Sequence, residues 1–134
     1  MKRISLDFQG YYLKRESLPS LPGIYCVYRC AVNRDKKTVF IKELLYIGES
    51  IDVNNRLENH DRFLDWQNSL GYGEVLCYSY AYVSNIDRER AEAALIYKHQ
   101  PRFNEQHIYD FGYLKTEIIT KGQNKLLEKN FIID

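Results

Sequence analysis

The segment Asp87–His99 reads Asp-Arg-Glu-Arg-Ala-Glu-Ala-Ala-Leu-Ile-Tyr-Lys-His, with Glu92 three and four residues before Leu95 and Ile96. In a helix that spacing puts the three side chains on one face. A carboxylate beside a packing stripe is costly unless it is paired or bound to a metal ion. The plainer reading sets Glu92 at the border of the stripe with its carboxylate in water. Arg56 and His60 stand four apart in an earlier helical stretch. A guanidinium and an imidazole on one helix face suit gripping a phosphate oxygen and moving a proton, although Asn55, Glu58, Asn59 and Asp61 around them also describe a solvated face. Tyr25 and Tyr46 fall in strand-like runs. A phenol titrates near pH ~10, but beside a cation it can accept a proton or position a water. Core or cross-strand packing is the ordinary fate of such a tyrosine.

The elements that must position these residues follow from local patterning. Residues 1–22 form a polar and aromatic lead-in ending in Leu18-Pro19-Ser20-Leu21-Pro22, whose prolines favour an extended entry. Gly23–Cys30 is β-branched and aromatic, Asn33–Lys37 is a polar turn, and Thr38–Ile47 is a second strand. An antiparallel hairpin is the simplest arrangement. Gly48-Glu49-Ser50 ends it, and Ser50 or Asp52 can cap a helix running to about Leu70, with Val53, Leu57, Phe63 or Leu64, and Trp66 as its apolar stripe. Glu74–Ser84 is a third strand. Asp87 caps the helix that carries Glu92, which stops before Pro101. Leu114–Thr120 reads as a short strand, and Lys125–Asp134 as strand or helix. The order β-β-α-β-α predicts an α+β fold with a small central antiparallel sheet flanked by helices.

Bulk properties narrow the classes. The 134 residues suit one domain. A formal net charge of +1 argues against a protein that coats nucleic acid, but allows an enzyme with its positive groups gathered in one cleft. Twelve tyrosines point to sheet and half-wet surfaces. The three cysteines, Cys26, Cys30 and Cys77, show no metal-ligand spacing, and their odd number is a poor basis for a disulfide scaffold, so reduced thiols are expected. No apolar run approaches the length of a signal sequence or a membrane span. A cytoplasmic location without membrane association is the resulting expectation.

Taken together, these residues carry a resemblance. Gly23-Ile24-Tyr25 and Tyr46-Ile47-Gly48 are the two tripeptides after which the GIY-YIG nucleases are named, each at its place in a hairpin. Arg56 follows Tyr46 by ten residues, with His60 four further on. Glu92 begins Glu-Ala-Ala-Leu-Ile, and Gln100-Pro101-Arg102-Phe103-Asn104 resembles the Pro-x-x-Asn turn that closes the family's helix. The five elements stand in order over residues 21–105, about two-thirds of the chain, with residues 1–20 and 106–134 as extensions.

What the resemblance implies is a metal-dependent endonuclease that hydrolyses phosphodiester bonds in DNA, with RNA left open. Tyr46 would be the general base or would orient the attacking water, with Tyr25 supporting it. Arg56 would hold the scissile phosphate, and His60 would assist proton transfer or contact that phosphate. Glu92 would be the only protein ligand of a Mg²⁺ or Mn²⁺ ion, the kind of hard cation that keeps waters and is completed by substrate. Asn104 would brace the site. Glu49 stands where many members have Lys or Ser, and an acid beside a phosphate must be paired or turned away; it is read as non-catalytic. Lys36 and Lys37 in the hairpin turn, with Lys98 and Arg102 near the end of the second helix, are candidate phosphate contacts, solvated surface being the alternative for each. Recognition would come from the two extensions, from a partner subunit or from a homodimer. The alternative from another class is a catalytically inactive module on the same fold that binds nucleic acid or protein.

Overall fold

Ile4, Leu6 and Phe8 are buried while Arg3, Ser5 and Asp7 are exposed, a period of two that makes Lys2–Tyr12 a strand, β1. The other strands of this computed structural model, which describes residues 1–134, are β2 (Gly23–Asn33), β3 (Thr38–Ser50), β4 (Glu74–Tyr82), β5 (Thr116–Gly122) and β6 (Asn130–Ile133). The helices are α1 (Val53–Leu57), α2 (Phe63–Asn68) and α3 (Arg88–His99). The fold is α+β, built on one six-stranded sheet in the order β3-β2-β4-β1-β5-β6.

The sheet departs from the expected small antiparallel one. Strands β3, β2 and β4 do pair antiparallel, and β2–β3 is the expected hairpin, with Tyr25 opposite Gly48 and Val27 opposite Tyr46. The lead-in, however, is a full strand. The end of β1 pairs antiparallel with β4 while its first seven paired residues run parallel to β5, so the sheet is mixed. Asn130–Ile133 resolves the open reading of the tail as a strand, antiparallel to β5.

Around β2 both faces of the sheet are covered, whereas β1 and β6 keep one face in solvent. On one face Ile24, Cys26, Tyr28, Ile47 and Ala81 pack with Ala91, Ala94 and Leu95 of α3. The alanines keep that helix close to the strands. On the other face Tyr25, Val27, Leu45 and Tyr80 pack with Val53 and Leu57 of α1 and Trp66 of α2. Strand β2, covered on both sides, is buried at six successive residues from Gly23 to Tyr28. A methyl group on Gly23 would overlap the Ala81 carbonyl and the Tyr80 ring, so close packing requires glycine there.

Three further expectations are corrected. The single helix expected from residue 52 to 70 is two short ones. Asp52 caps α1 by accepting from the Asn55 N–H at 3.2 Å, but Glu58, extended at ψ 118°, ends the helix, and Asn59, left-handed at φ 58°, then redirects the chain before His60. Arg56 and His60 therefore do not share a helix face. The cysteines are not all reduced: Cys30 and Cys77, both fully buried on neighbouring strands, form a disulfide, and Cys26 remains a buried thiol. A separation of 47 residues carries no hint of that pairing, which the β2–β4 register creates. Asp87 also precedes α3 without capping it through its side chain, pairing instead with Lys2 at 2.9 Å.

Candidate active site

Strand β3 is an edge of the sheet, and its bare flank is where the site forms. After α3 the chain turns through Gln100, at φ 51°, and Pro101, and then lies against that edge. The Phe103 N–H donates to the Leu45 carbonyl at 3.1 Å. The Asn104 side chain does what a neighbouring strand would do. Its Oδ1 accepts from the Ile47 N–H at 3.0 Å and its Nδ2 donates to the Ile47 carbonyl at 2.8 Å. Asn104 thus fixes the strand between Tyr46 and Gly48. Asn104→Ala leaves both backbone groups of Ile47 unpaired on a buried edge, and unfolding by denaturant should show a loss of about 2–4 kcal/mol.

A cavity of about 260 Å³ opens beside this edge, lined by Tyr25, Tyr46, Glu49, Arg56, Asp61, Arg62, Glu92, Ile96, Phe103, Asn104, Glu105 and Gln106. Residues from β2, β3, the α1–α2 region, α3 and the following turn meet here although α1 and α3 cover opposite faces. Gly48 makes one part of this possible. The Tyr25 ring lies where a side chain at residue 48 would be, and a methyl group there would overlap it. Tyr25 and Tyr46 stack, with ring centroids 6.3 Å apart.

His60 stands behind the tyrosines. Its side chain is completely inaccessible to solvent, and it is absent from the cavity lining. Of the two roles expected of it, direct contact with a phosphate is therefore excluded by burial. Its hydrogen bonds define its state. The Arg62 backbone N–H donates to Nδ1 at 3.0 Å, so Nδ1 is unprotonated. The neutral ring then carries its proton on Nε2 and donates to the Tyr25 hydroxyl at 3.0 Å. Burial, helped by the charge of Arg56, pushes the imidazole down from 6.5 to about 4. Its folded value lies below the unfolded one, so as pH falls the unfolded chain binds the proton first. Stability should then be lost between about pH 6.5 and 4 and level off below. The loss due to His60 is on the order of 2–3 kcal/mol. Chemical denaturation across that range should show it, and His60→Gln should flatten it.

The charges in the lining are almost all paired. Asp61 accepts from Arg56 at 2.8 Å, and Glu105 pairs with Arg62 at 2.8 Å. Glu49 is held by Arg88 at 2.5 Å, so the acid next to Gly48 is neutralised by an arginine from α3. Arg88 also bonds the Asn85 side chain. Glu92 is the exception. No Arg or Lys comes within ion-pair distance of it; the Glu49 backbone N–H is its hydrogen-bond donor, and the one basic side chain within 4 Å is the His107 imidazole, at 3.7 Å. Burial, and then the nearby Glu49 charge, push its carboxyl from 4.5 up to about 8. Burial and the Glu92 charge likewise raise the Tyr46 phenol, and burial and Tyr46 raise that of Tyr25 well above its ordinary value. A divalent cation at Glu92 fits this arrangement, because it would supply the positive charge that the other three carboxylates obtain from arginine. No cluster of three or more His, Cys, Asp or Glu side chains is placed to enclose an ion. Water and substrate oxygens would have to complete its shell.

The basic residues expected to touch nucleic acid do not line the cavity. Lys36 and Lys37 sit in the β2–β3 turn, eight residues along β2 from Tyr25 to Asn33 and so about 26 Å away at ~3.3 Å per residue. Lys98 lies over the ring of Phe131 in β6. Arg102 is nearest, stacked on Phe103 and paired with Glu43 at 2.6 Å. The structure adds Asp61, Arg62, Phe103, Glu105, Gln106 and His107 to the neighbourhood. Their positions follow from the Asn59 break and the edge-covering turn, which residue spacing alone does not reveal.

Comparison of the chain with models of protein families, with curated proteins and with solved structures finds no match.

Proposed function

We propose that the protein is a metal-dependent endonuclease of the GIY-YIG type, a hydrolase acting on phosphodiester bonds in DNA, with RNA as an open second substrate. The observation that carries this reading is that Tyr25, Tyr46, Arg56, Glu92 and Asn104 meet at one cavity in which Glu92 alone among the carboxylates has no cationic partner.

When bound at Glu92, Mg²⁺ or Mn²⁺ supplies charge neutralisation for the leaving oxygen. The chain does the rest. Arg56 exchanges Asp61 for the scissile phosphate, and its planar fork spans two phosphoryl oxygens as their charge grows. Tyr46, kept as a phenol by burial, orients the attacking water by hydrogen bonding. Tyr25 receives the His60 proton donor on its oxygen, which leaves its own hydroxyl hydrogen free to point into the cavity. Asn104 holds the segment bearing Tyr46 in place.

With a net charge of +1, binding to nucleic acid should be weak and should fall steeply with salt. No helix of the protein is long and apolar enough to cross a membrane. A cytoplasmic setting belongs to the same proposal. Because disulfides seldom persist there, it requires the buried Cys30–Cys77 bond to be shielded from reductants, which thiol counting on protein isolated from cells would check.

The test is incubation of wild type, Glu92→Ala and Arg56→Ala with supercoiled plasmid, branched DNA, single-stranded DNA and RNA in Mg²⁺ or Mn²⁺. Cleavage by wild type and its loss in both variants is the expected result. A wild type that binds these substrates and cleaves none would make the protein an inactive binding module.

A further inference from the structure

We infer that His107 is a second protein ligand of the divalent cation at Glu92, and that it biases the site toward Mn²⁺ over Mg²⁺. This rests on the cation site proposed above and adds to it a nitrogen donor.

Three observations support the assignment. The first is spacing. His107 Nε2 lies 3.7 Å from Glu92 Oε1, too far for a hydrogen bond. In an octahedral shell two donors about 2.1 Å from a shared ion stand roughly 3.0 Å apart when adjacent and roughly 4.2 Å apart when opposite, so the gap closes onto one ion with a side-chain shift of about 0.7 Å. The second is that no other side chain competes. His107 has no hydrogen bond to the chain through its ring, and Glu92 is its sole charged neighbour within ion-pair distance. The third is how the imidazole is held. His107 adopts φ 62°, a left-handed conformation that needs support from its surroundings. That support comes from Gln100 at the end of α3, whose Nε2 donates at 2.9 Å to both the Tyr97 and Ile108 carbonyls. The loop bearing His107 is thereby tied to the helix bearing Glu92.

The chemistry of the donors gives the selectivity. A lone carboxylate favours neither ion strongly, and Mg²⁺ prefers oxygen and keeps its waters. An imidazole nitrogen favours first-row transition ions over Mg²⁺.

The test uses the whole chain without nucleic acid. Mn²⁺ and Mg²⁺ binding are measured by calorimetry for wild type, His107→Ala and Glu92→Gln, with Mn²⁺ broadening of the histidine side-chain NMR signals in wild type. The inference expects His107→Ala to weaken Mn²⁺ by about tenfold or more and Mg²⁺ by much less, Glu92→Gln to remove both, and the His107 signals to broaden at the lowest Mn²⁺ additions. Mn²⁺ binding unchanged in His107→Ala, or His107 signals that stay sharp while Mn²⁺ binds, would overturn it and leave Glu92 as a lone ligand. Undiminished binding in Glu92→Gln, or none in wild type, would overturn both this inference and the cation site.

Discussion

Arg56→Ala should slow phosphodiester cleavage under single-turnover conditions by about 10³-fold, the scale seen when one group that stabilises transition-state charge is lost. Its thermal unfolding should stay near that of wild type. The Arg56 side chain is 39% exposed and its partner Asp61 is 71% exposed, so the pair contributes little to stability. Arg56→Lys should restore only a small part of the rate, since an ammonium lacks the fork that spans two oxygens. Asp61 tests the same assignment from the other side. It occupies the guanidinium in the free protein, so Asp61→Asn should tighten binding of nucleic acid by about two- to fivefold, the worth of a surface ion pair. Fluorescence anisotropy on a short duplex at low salt would measure it.

Glu92→Gln should have effects of opposite sign on activity and stability. Cleavage should fall by about 10³-fold, because the neutral amide no longer attracts a divalent cation. Without divalent ions the variant should be more stable than wild type. The Glu92 carboxyl is raised from 4.5 to about 8 in the folded protein, so folding opposes its ionisation. The folded chain holds the proton that the unfolded chain releases, and wild-type stability therefore falls as pH rises from about 4.5 to 8. At pH ~7 the penalty is on the order of 2–3 kcal/mol, which corresponds to roughly 5–10 °C in Tm. The amide of the variant cannot ionise and escapes it. Calorimetric melts in chelator from pH 5 to 8.5 should show the two proteins diverge with rising pH. Mn²⁺ should then stabilise wild type alone. A residue with a merely structural part in the core would destabilise on substitution.

The local elements around the site were legible because their signals are local. A run rich in aromatic and β-branched residues marked β2, the Asn33–Lys37 turn marked the hairpin, and Pro101 marked the end of α3. Strand β1 was equally local: Ile4, Leu6 and Phe8 alternate with Arg3, Ser5 and Asp7, a period of two from which the strand could have been read. Other features arise only when distant parts of the chain meet. The Cys30–Cys77 bond is a product of β2–β4 register, and the parallel pairing of β1 with β5 depends on a crossover that no neighbouring residue encodes. His60 departs from its expected place because the extended Glu58 and the left-handed Asn59 redirect a side chain that helical periodicity would leave on the surface. Glu92 was legible as an anomaly, a carboxylate beside a packing face. That its three fellow carboxylates in the cavity would each find an arginine, and that it would not, is tertiary information.

The most direct measurement pairs binding with chemistry in one sample: anisotropy of a labelled DNA in Mn²⁺, followed by gel analysis of the strand, for wild type and Glu92→Gln. The predicted result is that both proteins bind the DNA and only wild type cuts it, with cutting abolished by chelator. If Glu92→Gln cuts at the wild-type rate, or if wild-type cutting survives chelation, Glu92 does not hold a catalytic cation and the site has been wrongly assigned.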